Sequence, residues 1–369
     1  ITAMSVTARR VIPIHVTPRL PARVRRALDE GKTLDRLGRP LRDLRISLTD
    51  RCNFRCTYCM PKDVFNRDYQ YLTREHILSF EEIARLASAA VSLGVEKIRL
   101  TGGEPLLRKG IEVLVGQLSQ LRTPDGGPVD VTMTTNGSLL ARKAAALRDA
   151  GMTRITVSLD ALDQHTFSAM SGSDSKVEAV LDGIETARQL GFSPVKVNTV
   201  VRRGVNEDQV IPIVQRFKGT GVTPRFIEFM DVGSTNHWEL REVIPSAELV
   251  RRIGQVFPLA PSGARQGRST SRTFDILDGS GRIGFISSVT EPFCADCSRL
   301  RVTADGRLFT CFFGAAVLDV RAALRNGDGD LVGILRNIWQ ERSEHYSELR
   351  GESGAPGTER HAEMSLLGG

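Results

Sequence analysis

Six short segments of the chain alternate apolar and polar residues, and helical patterns separate them. The alternating segments are residues 44–49, 95–101, 129–135, 153–160, 194–201 and 223–230. The helical patterns cover residues 79–94, 110–121, 138–151, 176–191 and 206–219, and several of them end in glycine. Strands that alternate with helices predict βαβ units around a parallel sheet. We therefore expect an α/β fold, either an incompletely closed (β/α)6 TIM-like barrel or an open wound sheet.

One face of each predicted strand is polar, whereas branched apolar side chains normally fill the interior of a barrel. The period of two places Arg45, Ser47 and Thr49 on one face of the first strand. The later strands repeat this pattern with Lys97, Arg99 and Thr101; Asp130, Thr132 and Thr134; Thr156, Ser158 and Asp160; and Lys196 and Asn198. If this face lines a lumen, its buried cations require an anionic ligand. The alternative is a sheet that exposes one face to water.

The composition limits the class of protein. The chain has 369 residues, is 41% hydrophobic and carries a net charge of +7. The excess of positive charge predicts an anionic partner, either a nucleotide, a nucleic acid or an acidic surface. Because there is no apolar run of about eighteen residues, we expect no membrane span, and the absence of a secretory signal favours the cytoplasm.

The chain divides into four predicted regions. Residues 1–36 are rich in arginine and form a basic N-terminal arm, with a transit peptide as the alternative. Residues 37–245 form the partial barrel, and residues 246–350 form a C-terminal region with an auxiliary cluster. Within that region we expect a loop at 258–272 and short strands at 273–313. Residues 351–369 are polar, contain many glycines and form a flexible tail that ends in Gly-Gly.

The six cysteines fall into two groups of three. Cys52, Cys56 and Cys59 follow the first predicted strand, and the second group is Cys294, Cys297 and Cys311. Thiolates bind zinc or iron–sulfur clusters, but a structural zinc site usually has four protein ligands. Three thiolates on a cubane leave one iron open to an external molecule. For the second group, zinc with an outside ligand and a disulfide with one free thiol remain as alternatives.

Two motifs resemble those of the radical S-adenosylmethionine superfamily. "CNFRCTYC" has the CxxxCxxC spacing with an aromatic residue before the last cysteine, and "TGGEP" at 101–105 resembles the glycine-rich strand end. Further motifs are similar to those of the GTP 3′,8-cyclase family over residues 34–369. They are "LGRPLRDLRISLTDRCNFRCTYCMP", "TGGEPLLR", "TTNG", "VSLDALD", "RFIEFMDVG" and the terminal Gly-Gly.

This resemblance implies an enzyme of molybdenum cofactor biosynthesis that uses S-adenosylmethionine and two [4Fe–4S] clusters. In the family, a 5′-deoxyadenosyl radical removes the ribose 3′ hydrogen of GTP, and the resulting carbon radical adds to C8 of guanine. Reduction and protonation give 3′,8-cyclo-7,8-dihydroguanosine triphosphate. The cofactor supplies the difficult chemistry, and the protein supplies orientation and charge neutralisation.

The resemblance also implies roles for individual residues. Each of the two cysteine groups holds one cluster, and Gly368, Gly369, Arg299 and Arg301 take part in catalysis. The expected contacts of S-adenosylmethionine are Tyr58, Gly103, Ser158 and Met230. The expected contacts of GTP are Arg45, Arg99, Thr134, Lys196, Arg299, Leu300 and Arg301, and the positions of Lys97 and Arg225 on their strands make them further candidates. Arg225 and Met230 fall on opposite faces of a regular strand, so we expect a bulge or a backbone contact if both act.

The pathway and the family suggest further partners. These are a flavodoxin- or ferredoxin-like electron donor, the downstream cyclic pyranopterin monophosphate synthase and a second copy of the chain in a homodimer. We expect neither nucleic acid nor a membrane as a partner. A peptide-modifying maturase is one rival interpretation, although such enzymes usually carry more cysteines. An iron–sulfur sensor that binds nucleic acid is another, but it would need a basic surface bearing aromatic residues, and none is evident.

Overall fold

The computed structural model describes residues 31–263, 270–326, 329–349 and 362–368, and it contains all six predicted strands. These are β1 (Asp43–Ser47), β2 (Lys97–Thr101), β3 (Asp130–Thr135), β4 (Arg154–Ser158), β5 (Val195–Val201) and β6 (Thr223–Glu228). They pair in sequence order and in parallel from β1 to β6. The prediction of βαβ units is therefore confirmed.

Helices connect these strands. They are α1 (Phe80–Ser92), α2 (Ile111–Ser119), α3 (Leu140–Asp149), α4 (Gln164–Ser171), α5 (Val177–Gln189) and α6 (Val210–Phe217). A reciprocal capping box between Ser79 and Glu82 begins α1. The pattern along the chain missed α4, which is short, begins at the Asp163 cap and ends at Gly172 with φ 56°.

The C-terminal region extends both edges of this sheet. It contains α7 (Ser246–Gly254), β7 (Leu259–Pro261), β8 (Arg272–Ile276), β9 (Arg282–Ile286), β10 (Arg299–Val302), β11 (Arg307–Phe309) and β12 (Leu318–Asp319). After them come α8 (Arg321–Arg325), α9 (Leu331–Glu341), α10 (Tyr346–Leu349) and α11 (Met364–Leu367). β10 pairs in parallel with β1, and β9 pairs in parallel with β6.

Within the described residues the strands form one continuous sheet in the order β12-β11-β10-β1-β2-β3-β4-β5-β6-β9-β8-β7. The short strands expected at 273–313 are present. The parallel pairing of β10 with β1 and of β9 with β6 was not predicted. The expectation of a loop at 258–272 was wrong in part, because Leu259–Pro261 form β7, which pairs antiparallel with the end of β8.

The two faces of the strands have different surroundings. Leu44, Ile46 and Ile98 are fully buried on the face that packs under the helices. On the other face Thr132 and Thr156 are each only 2% exposed, so that face is not in water. Strands from both edges, including β9 and β10, contribute side chains to one cavity. The sheet therefore curls around this cavity as an incompletely closed barrel, and the alternative of a solvated sheet face is wrong.

Two expectations about the ends of the chain were wrong in part. The arm was expected to reach residue 36, but Asp35 is 6% exposed and Lys32 pairs with Glu96. Residues 31–36 therefore belong to the packed protein, whereas residues 1–30 lie outside the described residues. The tail was expected to be flexible from residue 351; residues 351–361 and 369 lie outside the described residues, but in the described part Leu367 is fully buried and α11 packs against β1. In the described ranges no helix is long and apolar enough to cross a membrane.

A buried carboxylate connects the barrel to the C-terminal region. Glu228, at the end of β6, is fully buried. It accepts hydrogen bonds from the backbone N–H and hydroxyl of Ser246, at the start of α7. It also accepts hydrogen bonds from the backbone N–H of Val289 and from the backbone N–H and hydroxyl of Thr290. Five donors from two segments of the C-terminal region thus bond to one carboxylate.

We expect Glu228→Ala to lower the free energy of unfolding by about 3 kcal/mol, because it leaves several buried donors without an acceptor. Thermal and denaturant unfolding of the full chain would measure the loss. Glu178→Ala, at an exposed position in the first turn of α5, is the matched control and should change stability by less than about 0.5 kcal/mol. Equal effects of the two substitutions would contradict this account of Glu228.

Candidate active site

A cavity of about 230 Å³ lies on the polar face of the sheet, and cationic side chains are prominent in its lining. Those on strands β1, β2, β5, β6 and β10 are Arg45, Lys97, Arg99, Lys196, Arg225, Arg299 and Arg301, and Arg342 joins them from the segment after α9. We call this cavity the lumen. A second space of about 820 Å³ shares Lys97, Lys196 and Arg225 with it and lies toward the amino-terminal ends of the strands. The second space alone falls within the usual size of a small-molecule site.

Burial and mutual repulsion perturb the charges of the lumen. Burial is the main cause that lowers the pKa of Lys97 to about 7, with a further contribution from Arg99. Burial followed by the charge of Arg225 lowers the pKa of Lys196 to about 7. Arg45 follows the same pattern, with a pKa of about 9. So many desolvated cations facing one space indicate that an anion belongs there.

Several polar atoms of the lumen have no hydrogen-bond partner among the described residues. They include Nε and Nη1 of Arg301, Nε of Arg225 and Oδ1 of Asn198, all of which are buried. Buried polar groups are almost always hydrogen-bonded, so these atoms need an external partner. The guanidinium groups suit phosphate oxygens, and an amide oxygen can accept from a ligand hydroxyl or amine. The lumen therefore fits a polar, polyanionic molecule.

The structure places almost all of the expected substrate residues together. Thr134 lines the lumen and accepts a hydrogen bond of 2.9 Å from Nη1 of Arg99. Leu300 is different, since its side chain is fully buried in the main core on the opposite face of β10 from Arg299 and Arg301. A contact between Leu300 and a substrate would therefore involve its backbone.

Several residues of the lumen were not predicted from the sequence. Asp43 is an acid among the cations, and its carboxylate accepts a hydrogen bond from the Ser298 hydroxyl. Phe293 and Phe312 also line the lumen, and the guanidinium groups of Arg299 and Arg301 stack on their rings. Strand parity could have identified Asp43, which lies two residues before Arg45. The two phenylalanines lie in loops that give no such signal.

The first cysteine group lies in the loop after β1. Gly102 and Gly103, after β2, allow this loop to approach closely. A side chain at Gly102 would lie 2.7 Å from the Thr49 carbonyl oxygen, and one at Gly103 would overlap the backbone of Arg51. Gly102 has φ 143°, which favours glycine. The close approach that these glycines permit here is between two segments of the chain itself.

The three cysteines of the first group are half-buried, and their thiols are close enough to interact. Burial, followed by the charge of Glu104, raises the pKa of Cys52 to about 11. Burial also raises the pKa of Cys56 and Cys59, and the charges of neighbouring cysteines add to this effect. Such thiols become thiolates when a metal compensates the charge, because the metal replaces the protons.

The second cysteine group lines the lumen directly. Cys294 and Cys297 lie in the turn before β10, and Cys311 follows β11. Burial alone would raise the pKa of Cys297, but Arg299, Arg342 and Arg301 outweigh it and lower the pKa to about 6. Nη2 of Arg299 lies 3.5 Å from the Cys297 sulfur. This thiol therefore ionises easily and is prepared to bind a metal.

The donor sets fit iron–sulfur clusters better than the alternatives. All six cysteines are free, so the second group contains no disulfide. In the described part of the chain, no three His, Cys, Asp or Glu side chains are arranged to hold one metal ion. A cubane spreads its thiolate ligands over separate iron atoms, so its ligands need not surround a single point. Zinc with an outside ligand is therefore not supported.

The expected S-adenosylmethionine contacts lie near the carboxyl ends of the strands. The Tyr58 hydroxyl donates a 2.8 Å hydrogen bond to Oδ2 of Asp160, a residue that was not selected from the sequence. Burial raises the pKa of Asp160 to about 6. Ser158 ends β4, and Met230 lies two residues beyond β6 and lines the lumen. Because Met230 is outside the strand, no bulge is needed for both Arg225 and Met230 to reach the lumen.

The end of the chain reaches the same region. Gly368 has φ 69°, and a side chain there would overlap the hydroxyl of Thr101 at the end of β2. The carboxylate of Glu363 accepts hydrogen bonds from the backbone N–H and hydroxyl of Ser234 and from the hydroxyl of Thr235. These contacts fix the tail between the loops after β2 and β6. Gly369 lies outside the described residues.

Family profiles match two consecutive parts of the chain. Residues 46–217 match the Radical SAM superfamily, and residues 222–348 match Molybdenum Cofactor Synthesis C. Among solved structures, SuiB of Streptococcus suis with bound S-adenosylmethionine has a TM-score of 0.58 at 15% identity. That alignment covers 90% of this chain and 78% of SuiB. At this level of identity the likeness concerns the fold alone, and it confirms the predicted barrel type.

Curated relatives are far more similar in sequence. The GTP 3′,8-cyclase of Xanthomonas axonopodis pv. citri is 49% identical over 335 residues, covering 91% of this chain and 98% of the relative. The GTP 3′,8-cyclase of Acidothermus cellulolyticus is 45% identical over 360 residues, with coverages of 91% and 98%. These identities also decide against a peptide-modifying maturase. The chain belongs to the GTP 3′,8-cyclase family of the radical S-adenosylmethionine superfamily.

Proposed function

We propose that this protein converts GTP to 3′,8-cyclo-7,8-dihydroguanosine triphosphate, the first step of molybdenum cofactor biosynthesis. The observation that carries the proposal is the lumen, in which buried guanidinium atoms without partners face a space bordered by the second cysteine group. A nucleoside triphosphate supplies the anionic oxygens that such atoms need, and the 49% identity to a GTP 3′,8-cyclase supports guanosine as the nucleoside.

Two [4Fe–4S] clusters would be held by the two cysteine groups, the first by Cys52, Cys56 and Cys59 and the second by Cys294, Cys297 and Cys311. When bound, the first cluster and S-adenosylmethionine supply radical chemistry, and the open iron of the second cluster supplies a ligand site for guanine. Tyr58, Gly103, Ser158 and Met230 are the proposed contacts of S-adenosylmethionine.

The side chains of the lumen bind and orient the substrate. Arg45, Lys97, Arg99, Lys196 and Arg225 would neutralise the triphosphate. Charge neutralisation matters here because burial desolvates these cations, and electrostatic interactions are stronger where water is fewer. Binding the triphosphate at one end and guanine at the other restricts the ribose to one position, which lowers the entropic barrier to hydrogen abstraction.

Arg299 and Arg301 lie between the cations and the second cysteine group. Their stacking on Phe293 and Phe312 fixes the guanidinium planes, with 5.0 Å and 4.7 Å between each guanidinium carbon and ring centre. We propose that these two arginines contact both the phosphates and the base. The terminal Gly368 and Gly369 are proposed to take part in the reaction, and the described Gly368 packs against Thr101 at the end of β2.

The remaining partners are proposals from the family and its pathway. A flavodoxin- or ferredoxin-like protein would deliver electrons to the clusters, and a cyclic pyranopterin monophosphate synthase would take the product. Assembly as a homodimer and residence in the cytoplasm are proposed on the same ground.

The decisive test is anaerobic reconstitution of the full chain with iron and sulfide. We expect about eight irons per chain and about four in each of Cys56→Ala and Cys297→Ala, because each group holds one cubane. With dithionite and S-adenosylmethionine, the unsubstituted protein should form 5′-deoxyadenosine and the cyclised nucleotide only when GTP is present. About four irons in the unsubstituted protein, with cleavage indifferent to GTP, would refute the second cluster and the substrate together.

GTP binding should take up protons near pH 8. Lys97 and Lys196 have pKa values of about 7 in the free protein, and a bound triphosphate favours their charged forms. Affinity is therefore fully expressed below pH 7 and falls above it, by about tenfold per pH unit for each lysine. Calorimetry of the reconstituted protein in buffers of different ionisation enthalpy would count the protons. Lys97→Arg should take up fewer, and an uptake unchanged by this substitution would contradict the assignment.

Gly368→Ala should abolish product formation while both clusters remain, because a side chain at this position overlaps Thr101. Gly126→Ala is the matched control, since Gly126 also has a positive φ, of 82°, but a side chain there meets nothing within 4 Å. Iron content and cyclised nucleotide would be measured for both. Full turnover by Gly368→Ala would show that tail placement does not matter for the reaction.

A further inference from the structure

A buried carboxylate near the start of the described chain connects two arginines. Oδ2 of Asp35 accepts a 2.6 Å hydrogen bond from Nε of Arg39 and a 2.9 Å hydrogen bond from Nη1 of Arg342. Oδ1 accepts from the backbone N–H groups of Leu37 and Arg39. The three charged side chains are at most 2% exposed. We call Asp35, Arg39 and Arg342 the buried triad.

Both arginines of the buried triad extend to the backbone of the second cysteine group. Nη1 of Arg39 donates to the carbonyl oxygen of Cys294 at 3.0 Å. Nη1 of Arg342 donates to the carbonyl oxygen of Cys297 at 2.9 Å, and its Nε donates to the carbonyl oxygen of Thr310 at 3.0 Å.

Thr310 directly precedes Cys311, so the triad reaches the backbone at or beside all three cysteines. These cysteines come from two separate segments, the turn before β10 and the residue after β11. The Asp35 carboxylate therefore holds the two arginines whose guanidinium groups bond to the backbone of both segments.

Packing holds the triad in place. The Trp339 ring lies 4.6 Å from the guanidinium carbon of Arg342, and its Nε1 donates to the carbonyl oxygen of Arg39 at 2.9 Å. Trp339 is itself fully buried in α9. A buried ion group with two cations and one anion is costly compared with apolar packing, so it contributes mainly geometric specificity. The geometry that it specifies here is that of the cysteine backbone.

We propose that Asp35, Arg39 and Arg342 are positioning residues that hold the second cysteine group at the spacing its cluster requires. The inference rests on the proposed cluster at that group, and it assigns no role to the triad at the first cluster. Outer partners that orient metal ligands commonly change metal affinity by about tenfold to a hundredfold when they are removed. The triad acts in this way through backbone carbonyl groups.

The test compares Asp35→Asn and Arg342→Lys with one control substitution. Asp35→Asn keeps the shape of the side chain but removes the negative charge that contacts both guanidinium groups. Arg342→Lys keeps the positive charge but loses the branched guanidinium group that donates to Asp35, Cys297 and Thr310. Glu341→Gln is the control, because the exposed pair of Arg36 and Glu341 joins the same two segments at the surface. Each substitution is made in the full chain and, separately, in a Cys56→Ala background that retains only the second cluster.

The readouts do not depend on turnover. Iron release to a chelator should be about tenfold faster from the second cluster in Asp35→Asn and Arg342→Lys, and unchanged in Glu341→Gln. The EPR spectrum of the reduced protein in the Cys56→Ala background should broaden or shift. The first cluster, isolated in a Cys297→Ala background, should release iron at its ordinary rate.

Each other outcome has a defined meaning. Equal acceleration at both clusters would show that the triad only stabilises the fold, and no acceleration at either would show that it does not position the cysteines. Both results would overturn the inference and leave the proposed function intact. An unsubstituted protein that binds only the first cluster would instead contradict the proposed second cluster. Both the proposed function and this inference would then be overturned.

Discussion

Repulsion among buried cations is the constraint on which the site depends. Arg99 and Arg225 both line the lumen, and burial, followed by the charge of Arg225, lowers the pKa of Arg99. The described lining also contains the acids Asp43, Asp296 and Glu344, but the cations outnumber them. The fold tolerates this arrangement because many hydrogen bonds and the apolar face of the sheet stabilise the strands independently. A polyanionic substrate then gains affinity from relieving repulsion as well as from direct contacts.

The direction of the strands places the two cysteine groups at different ends of the sheet. The first cysteine group follows the carboxyl end of β1, whereas Cys297 precedes the amino end of β10. β1 and β10 are parallel neighbours, with Asp43 opposite Arg299. The first cysteine group therefore lies toward the carboxyl ends of these strands, whereas Cys294 and Cys297 lie toward the amino ends and line the lumen. The C-terminal region supplies one end of the site by completing the edge of the same sheet.

Local patterns predicted the central strands and the polar face, because alternation within one strand determines which side chains share a face. Parity also places Leu300 opposite Arg299 and Arg301, although the resemblance alone suggested a direct contact. The pairing of β10 with β1 has no local signal. The same holds for the ion pair of Asp35 and Arg342, whose partners are 307 residues apart. The cysteine spacings indicated clusters, but they could not show what holds the cysteines in place.

The packing of Gly368 beside Thr101 has a consequence for the order in which the protein is made. The central strands emerge from the ribosome first, and Gly368 cannot pack against Thr101 until the residues of α11 have been made. A polypeptide interrupted after α10 would contain all six cysteines and the buried triad but lack the contacts of Glu363 and Gly368. Such a product would keep the proposed ligands of both clusters without the docked tail.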